Sequence, residues 1–307
     1  MKFGKLPNID QVDFTLPQDA TDTLTVLEKL PPSKPQLYVG CTGWGMKEWV
    51  GTVYPPKTKA KDYLHHYARQ FGTIELNTTH YRIPTLETVT KWRDTVPADF
   101  RFCPKIPQSI SHSRDMSLNS DNTIRFCENI SELGEKLGSC FVQLPPYFGF
   151  DRLSLLTKFL EKFPQNIPLA LELRHESWFN DSANFEAVFQ MMQGLNISPV
   201  ITDVAGRRDV LHQRLTNHTV LIRWVGNALH PTDYTRIDAW VQRLKTWFEA
   251  GLQQVFFFPH EPDNILAPEI ATYFIKKINE HCKLDIHVPT LDGNKTEGVA
   301  GEQMSLF

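Results

Sequence analysis

Charged and amide side chains recur in this chain near the ends of short β-rich runs. Glu75 and Asn77 stand in TIELN, Lys105 ends FRFCPK, Gln143 ends CFVQ, Glu172, Arg174 and His175 end LALELRH, Asp203 ends SPVITD, and Arg223 lies in VLIRW. Residues two apart on a strand share a face. In the fifth run this puts Leu169, Leu171 and Leu173 on one side and Ala170, Glu172 and Arg174 on the other; in the second it separates Ile74 and Leu76 from Glu75 and Asn77. If the runs belong to one sheet, Glu75, Glu172 and Asp203 meet Lys105, Arg174 and Arg223 at one mouth. The bland reading is a charge-neutral network of three acids and three bases that seals the sheet end, since buried charges must be paired. The functional reading takes Lys105, Arg174 and Arg223, with Asn77, Gln143 and His112, as binders of a carboxylate or phosphate. Glu172 and His175 are then acid-base candidates, with Asp203 and Glu75 as orienting groups or metal ligands. A divalent metal held by Glu172, His175, Asp203 and His260 is a further reading, although no HExxH spacing exists. No nucleotide cofactor is expected, because no GxGxxG or GxxxxGK[ST] loop follows any run.

The elements that must position these groups follow from the hydrophobic period. Strand-like runs cover residues 37–42, 73–77, 100–106, 139–144, 168–174, 198–203, 220–224 and 254–258, and helical spacing follows nearly every one. The stretch Tyr234, Ile237, Trp240, Val241, Leu244, Trp247, Phe248 is the strongest helix, and the weakest unit is the sixth, around residues 209–215. Thr85 and Asp151 are predicted N-caps. Eight βα units predict an α/β protein of the TIM (β/α)8 barrel class over residues 37–282, with a doubly wound open sheet as the competitor. In the barrel, active sites sit at the C-terminal ends of the strands.

With 41% hydrophobic and 22% charged residues among 307, the chain can bury a sizeable core, which excludes disorder as a whole-chain reading. Lys+Arg 32 against Asp+Glu 35 gives a formal net charge of -3, so any DNA contact must be local and weak. Cys41, Cys103, Cys127, Cys140 and Cys282 form no CxxC pair, which fits a reducing cytoplasm. The start MKFGKLPNIDQVDF has no apolar signal core and no run of about 18 apolar residues occurs, so a cytoplasmic protein without a membrane partner is expected. Residues 1–36, with five prolines, read as an extension laid over the body; residues 283–307 read as a flexible tail. Around the expected mouth lie aromatic loops, among them Gly43-Trp44-Gly45 and Thr78-Thr79-His80-Tyr81, suited to stacking on a sugar or base or to packing across the barrel top.

Taken in order, VGCTGW with EWVGTVYP, IELNTTHYRIP, FRFCPKIP with the following His112, LGEKLG leading to VQLPP, ELRHESW and the Asp203 strand end cover residues 38–271 in a pattern that resembles the YecE-like family, domain of unknown function 72. The resemblance implies a TIM barrel and no particular reaction; by analogy of fold alone its barrel looks like those of the endonuclease IV and xylose isomerase group. It carries over Glu75, Asn77, Lys105, His112, Gln143, Glu172, Arg174, His175, Asp203 and Arg223 as the family-like polar positions. Two positions depart from it. Where the family commonly reads Arg-x-His-Gly this chain has Arg223-Trp224-Val225-Gly226, and where it commonly shows Asn-Asn it has Pro259-His260. If the missing histidine is essential, activity is altered or lost, unless His260 compensates.

The chain ends Gln303-Met304-Ser305-Leu306-Phe307, which resembles the pentapeptide by which bacterial polymerases and mismatch-repair proteins dock on the sliding clamp. A tether of this length has a root-mean-square reach of ~25 Å. The expected function is therefore a hydrolase or lyase of DNA maintenance, acting on phosphodiester or damaged-sugar chemistry and brought to DNA by the clamp. A sugar or carboxylate isomerase or lyase, and a non-catalytic clamp-associated binding protein, are the alternatives. Deleting Gln303 to Phe307 is expected to leave the melting temperature unchanged and to abolish clamp binding measured by calorimetry. Leu306→Ala with Phe307→Ala should reproduce the deletion, whereas Met304→Leu should bind as before, since that position needs only an aliphatic side chain of similar volume.

Overall fold

Each of the eight β-rich runs forms a strand: β1 (Gln36–Val39), β2 (Thr73–Leu76), β3 (Arg101–Pro104), β4 (Cys140–Gln143), β5 (Leu169–Glu172), β6 (Ser198–Asp203), β7 (Thr219–Val225) and β8 (Gln254–His260). The helices are α1 (Thr21–Leu27), α2 (Tyr63–Gln70), α3 (Thr78–Tyr81), α4 (Leu86–Thr95), α5 (Gln108–Ser111), α6 (Asn122–Ser131), α7 (Leu153–Lys162), α8 (Ser182–Gly194), α9 (Pro231–Ala250) and α10 (Ala267–Cys282). This computed structural model describes residues 4–28 and 34–291, so Gln303 to Phe307 lie outside the described residues. Between β6 and β7 only a single 3-10 turn, Arg208–Val210, replaces a helix, where the sequence pattern is weakest. Thr85 caps α4 through the Thr88 amide, but Asp151 caps nothing: it lies inside the 3-10 turn Phe150–Arg152 that leads into α7.

All pairings between these strands are parallel. Regular ladders join six of them in the order β1-β8-β7-β6-β5-β4 and the other two as β2-β3. The order follows the sequence without the reversal that a doubly wound sheet requires. Strand ladders stop at two seams. At the first, β3 touches β4 by isolated links, Gly138 N to Phe102 O at 2.8 Å and Ile106 N to Phe141 O at 2.9 Å.

At the second seam a side chain replaces the ladder. The Tyr67 hydroxyl, carried on α2, accepts from the Cys41 amide at 2.7 Å and donates to the Thr73 carbonyl at 2.9 Å. Glu75 N then reaches Cys41 O at 3.1 Å. The approach is so close that a Cβ on Gly40 would lie 1.8 Å from the Thr73 oxygen, which only glycine avoids.

Strand alternation builds two apolar layers. Inside, Cys103, Phe141, Ala170, Val200, Leu221, Phe256 and Phe258 pack together, with Tyr38 against them. Outside, Ile74, Phe102, Val142, Leu171, Ile201, Ile222 and Phe257 meet the helices. Helix α9, started by Pro231 and a His230 cap and ended at left-handed Gly251, buries Ile237, Trp240, Leu244 and Trp247.

The N-terminal segment is tied down by charge. Asp19 pairs with Arg243, Asp22 pairs with Arg214 at 2.8 Å, and Thr23 donates to Gln213 O at 2.9 Å. Residues 283–291, expected from their composition to be tail, lie instead against the body: Leu284, Ile286, Val288 and Leu291 pack on the core and Asn279 pairs with the Ile286 backbone. Cys41, Cys103, Cys127 and Cys140 are buried free thiols. No helix of the described residues is long and apolar enough to cross a membrane.

Tyr67→Phe removes the hydroxyl without changing the ring, leaving a buried donor and a buried acceptor unpaired at the second seam. A loss of about 2–6 kcal/mol in chemical denaturation is expected, at ~1–3 kcal/mol for each unsatisfied group.

Candidate functional site

At the C-terminal ends of the strands the inward alternation changes from apolar to charged. Above Thr73 stand Glu75 and Asn77; above Cys103, Lys105; above Phe141, Gln143; above Ala170, Glu172 and Arg174; above Leu221, Arg223; and above Phe258, His260. Glu75 and Glu172 are 0% exposed and Arg223 1%. Arg223 grips Glu75 with two parallel bonds of 2.9 Å, Nε to Oε2 and Nη2 to Oε1, and reaches Glu172 Oε2 through Nη1 at 2.8 Å. Arg174 Nε donates to Glu172 Oε1 at 2.7 Å, Gln143 Nε2 to Glu172 Oε2 at 2.7 Å, and Lys105 Nζ to Gln143 Oε1 at 2.9 Å. Asn77 Nδ2 and His260 Nε2 complete Glu75, at 2.8 and 3.0 Å.

Electrostatics fix the protonation states. Burial would raise the carboxyl of Glu75, but Arg223 and His260 outweigh it and hold the group well below the usual range. Burial likewise opposes Glu172, yet Arg174 and Arg223 bring it to about 2. Burial lowers His260 despite the opposing pull of Glu75, and its Nε2 is placed to donate to the Glu75 carboxylate. For Lys105, burial followed by Arg223 lowers the ammonium to about 8.

Two expected members are elsewhere. Asp203 shares its face with Ile201, not with Val200, and therefore points outward to α9. There it accepts from Trp240 Nε1 at 2.7 Å and pairs with Arg236 at 2.8 Å and with Arg208. His175 follows Leu173 in the same outward phase, and its Nδ1 accepts from the Ser177 amide at 3.1 Å to cap the turn Glu176–Trp178. Glu172, His175, Asp203 and His260 consequently do not converge as a metal ligand set, and among the described residues no three His, Cys, Asp or Glu side chains do.

Removing Asp203 changes the balance expected from sequence. Among the described residues two carboxylates, Glu75 and Glu172, stand with Lys105, Arg174 and Arg223. Arg174 and Arg223 each bond a carboxylate; among the described residues none comes within ion-pair distance of Lys105, whose bond is to an amide.

Near Lys105 the structure adds a group that the sequence reading left in an aromatic loop. The short helix α3 turns His80 inward, with Nδ1 donating to Ile106 O at 3.0 Å, and burial and Lys105 lower the ring to about 4. His112 stacks edge-on against it at 5.3 Å between ring centres, and Tyr81 flanks it at 5.5 Å. The Tyr147 hydroxyl donates to His112 O at 3.4 Å. Tyr81 is 75% and Tyr147 63% exposed, so the row ends in two open aromatic faces. Exposed Arg82 and Arg114 lie on the same loops.

On the opposite side a cleft of about 340 Å³ lies between the N-terminal segment Gly4 to Asp10 and the ends of β7 and β8, lined in part by Val225, Gly226, His260 and Glu261. Val225 and His260 are register partners. Burial and Asp233 raise the Glu261 carboxyl to about 7. A Cβ on Gly226 would lie 2.2 Å from Glu261 Oε1, which accounts for glycine there.

Comparison with known proteins places this geometry. The chain is 29% identical over 253 residues to the UPF0759 protein YecE of Escherichia coli K12, covering 76% of this chain and 90% of YecE. It is 29% identical over 151 residues to the UPF0759 protein YunF of Bacillus subtilis, covering 47% of this chain and 52% of YunF. A crystal structure of a DUF72 family protein from Enterococcus faecalis V583 superposes with a TM-score of 0.64 at 23% identity, over 82% of this chain and 99% of that one, a likeness of fold. The family model described as "Protein of unknown function DUF72" matches residues 38–292, and the chain belongs to that family.

Proposed function

We propose that the two seams complete a closed (β/α)8 barrel and that its mouth binds a phosphate ester flanked by planar rings, in the manner of a nucleotide or a nucleic-acid strand. Lys105 carries the reading: among the described residues no carboxylate lies within ion-pair distance of this buried cation, and a buried cation of this kind is stabilised by an anion. The row His112, His80, Tyr81 leading out from Lys105, with Tyr147 beside it, favours rings beside the phosphate over an isolated carboxylate. Glu75 and Glu172, held charged by guanidinium groups, orient the cations, and Lys105, brought to about 8, titrates close to neutral pH. His260, across from Val225, takes the place of the histidine expected after β7.

In this reading the protein is an enzyme of DNA maintenance acting on phosphodiester or damaged-sugar chemistry, and the pentapeptide Gln303 to Phe307 brings it to the sliding clamp. With a net charge of -3 the barrel alone holds DNA weakly, and tethering supplies the local concentration.

Inorganic phosphate should raise the melting temperature by about 2–4 °C when present far above its dissociation constant. Lys105→Met, which keeps the stem and removes the charge, should abolish the rise; an equal rise in both proteins, or none in the wild type, rejects the anion site. Glu172→Gln should cost about 3 kcal/mol in urea denaturation, because Arg174 and Arg223 lose a charged partner in the interior. Since the Glu172 carboxyl falls from 4.5 to about 2 on folding, its contribution is complete above pH 4.5 and is lost as pH drops towards 2. The Gln variant should therefore show a shallower acid destabilisation than the wild type over that window.

A further inference from the structure

Lys105 differs from the other two cations of the mouth in what holds it. Gln143 must turn its Nε2 to the acceptor-only carboxylate of Glu172, at 2.7 Å, which leaves its Oε1 facing Lys105 Nζ at 2.9 Å. That oxygen can accept from an ammonium, more strongly, or from a neutral amine, so it orients Nζ in either state. The charged neighbours are Arg223 and Arg174, which oppose protonation, and Glu75 and Glu172, which favour it but are each engaged by a guanidinium. The rings of His80 and His112 complete the surroundings, and Lys105 shifts both downward. The backbone beneath is fixed: Lys105 N donates to Leu76 O at 3.2 Å and Lys105 O accepts from Thr79 Oγ1 at 2.7 Å. The residue is 8% exposed.

A fixed amine that is free of an ion pair, beside an anion site, is the arrangement for attack on a carbonyl carbon. We propose that Lys105 is a nucleophile forming an imine with the open-chain aldehyde of a phosphorylated sugar, whether a free sugar phosphate or the ring-opened deoxyribose of an abasic site in DNA; this rests on the anion-binding reading of the mouth. The neutral amine adds to the carbonyl carbon, the C=O π pair moves to oxygen, and the carbinolamine hydroxyl, once protonated, leaves as water as the C–O bond breaks and the nitrogen lone pair forms the C=N bond. The sum is ammonium plus aldehyde giving protonated imine plus water, with no change of oxidation state. With its pKa at about 8, roughly a quarter of Lys105 is neutral at pH 7.5, against roughly one in a thousand for a free lysine.

The test incubates the full-length protein with 2-deoxyribose 5-phosphate, or with single-stranded and duplex oligonucleotides bearing one abasic site, in the presence of sodium cyanoborohydride, and maps the reduced adduct by mass spectrometry. The expected result is labelling of Lys105 at least ~10-fold above any other lysine, given its larger neutral fraction. The labelling should be suppressed by inorganic phosphate, lost in Lys105→Arg and increased between about pH 6.5 and about pH 8.5. Adducts with the oligonucleotides assign the DNA source and adducts with the sugar phosphate alone assign the small-molecule source; either supports the nucleophile. Labelling spread over surface lysines and unchanged in Lys105→Arg, or no adduct on Lys105 with any probe, overturns it. If phosphate still raises the wild-type melting temperature while no adduct forms, the imine fails and the anion site stands; if neither is seen, both fall.

Discussion

One guanidinium holds the mouth together. Arg223, on β7, bonds Glu75 on β2 and Glu172 on β5 at once, joining strands that are not neighbours and standing between two negative charges that would otherwise repel in a water-poor space. Every other polar group of the site is placed relative to that clasp. Arg174 and Gln143 fill the remaining acceptor positions of Glu172, Asn77 and His260 fill those of Glu75, and Lys105 is oriented through Gln143. The carboxylates, the most obvious catalytic candidates by residue type, are thereby consumed in architecture. The proposed reactivity therefore rests on Lys105, the cation that the network orients through an amide.

Much of this was legible in the sequence because strand alternation is a local property. The period of two in TIELN and LALELR is enough to put Glu75, Asn77, Glu172 and Arg174 on one face, and the structure places them there. Asp203 was misplaced for want of the same test, since Ile201 two residues earlier belongs to the outward set. His175 is likewise out of phase with Glu172. What no local pattern could reveal is partnership over distance. Tyr67 reads as one more apolar position of an amphipathic helix, and its role depends on where Cys41 and Thr73 arrive. His80 lies beside Lys105 because a one-turn helix after β2 reverses its direction, a geometry hidden in a Thr-Thr-His-Tyr string.

The site has two unlike flanks. Towards β2 to β4 the mouth opens on histidines and exposed tyrosines, a surface for planar rings. Towards β7 and β8 it adjoins a closed-in cleft roofed by the N-terminal segment, where Val225 and His260 stand in place of other residues of the family pattern. Both positions lie on the flank away from Lys105.

The two seams have a mechanical consequence. Because the ladders stop on either side of β2 and β3, that pair is a ribbon hinged at isolated links, while the other six strands share continuous pairing. Amide hydrogens along the seams should exchange with solvent through a local opening that leaves the six-stranded sheet closed. The ribbon carries Glu75, with Lys105 just beyond its end, and what latches it across the mouth is the pair of bonds from Arg223 to Glu75. An anion that competes for Arg223 would loosen the latch, and an open ribbon would in turn expose Arg223 to anions. Any anion that bound there would be thermodynamically linked to the breathing of the wall, each favouring the other to the same extent.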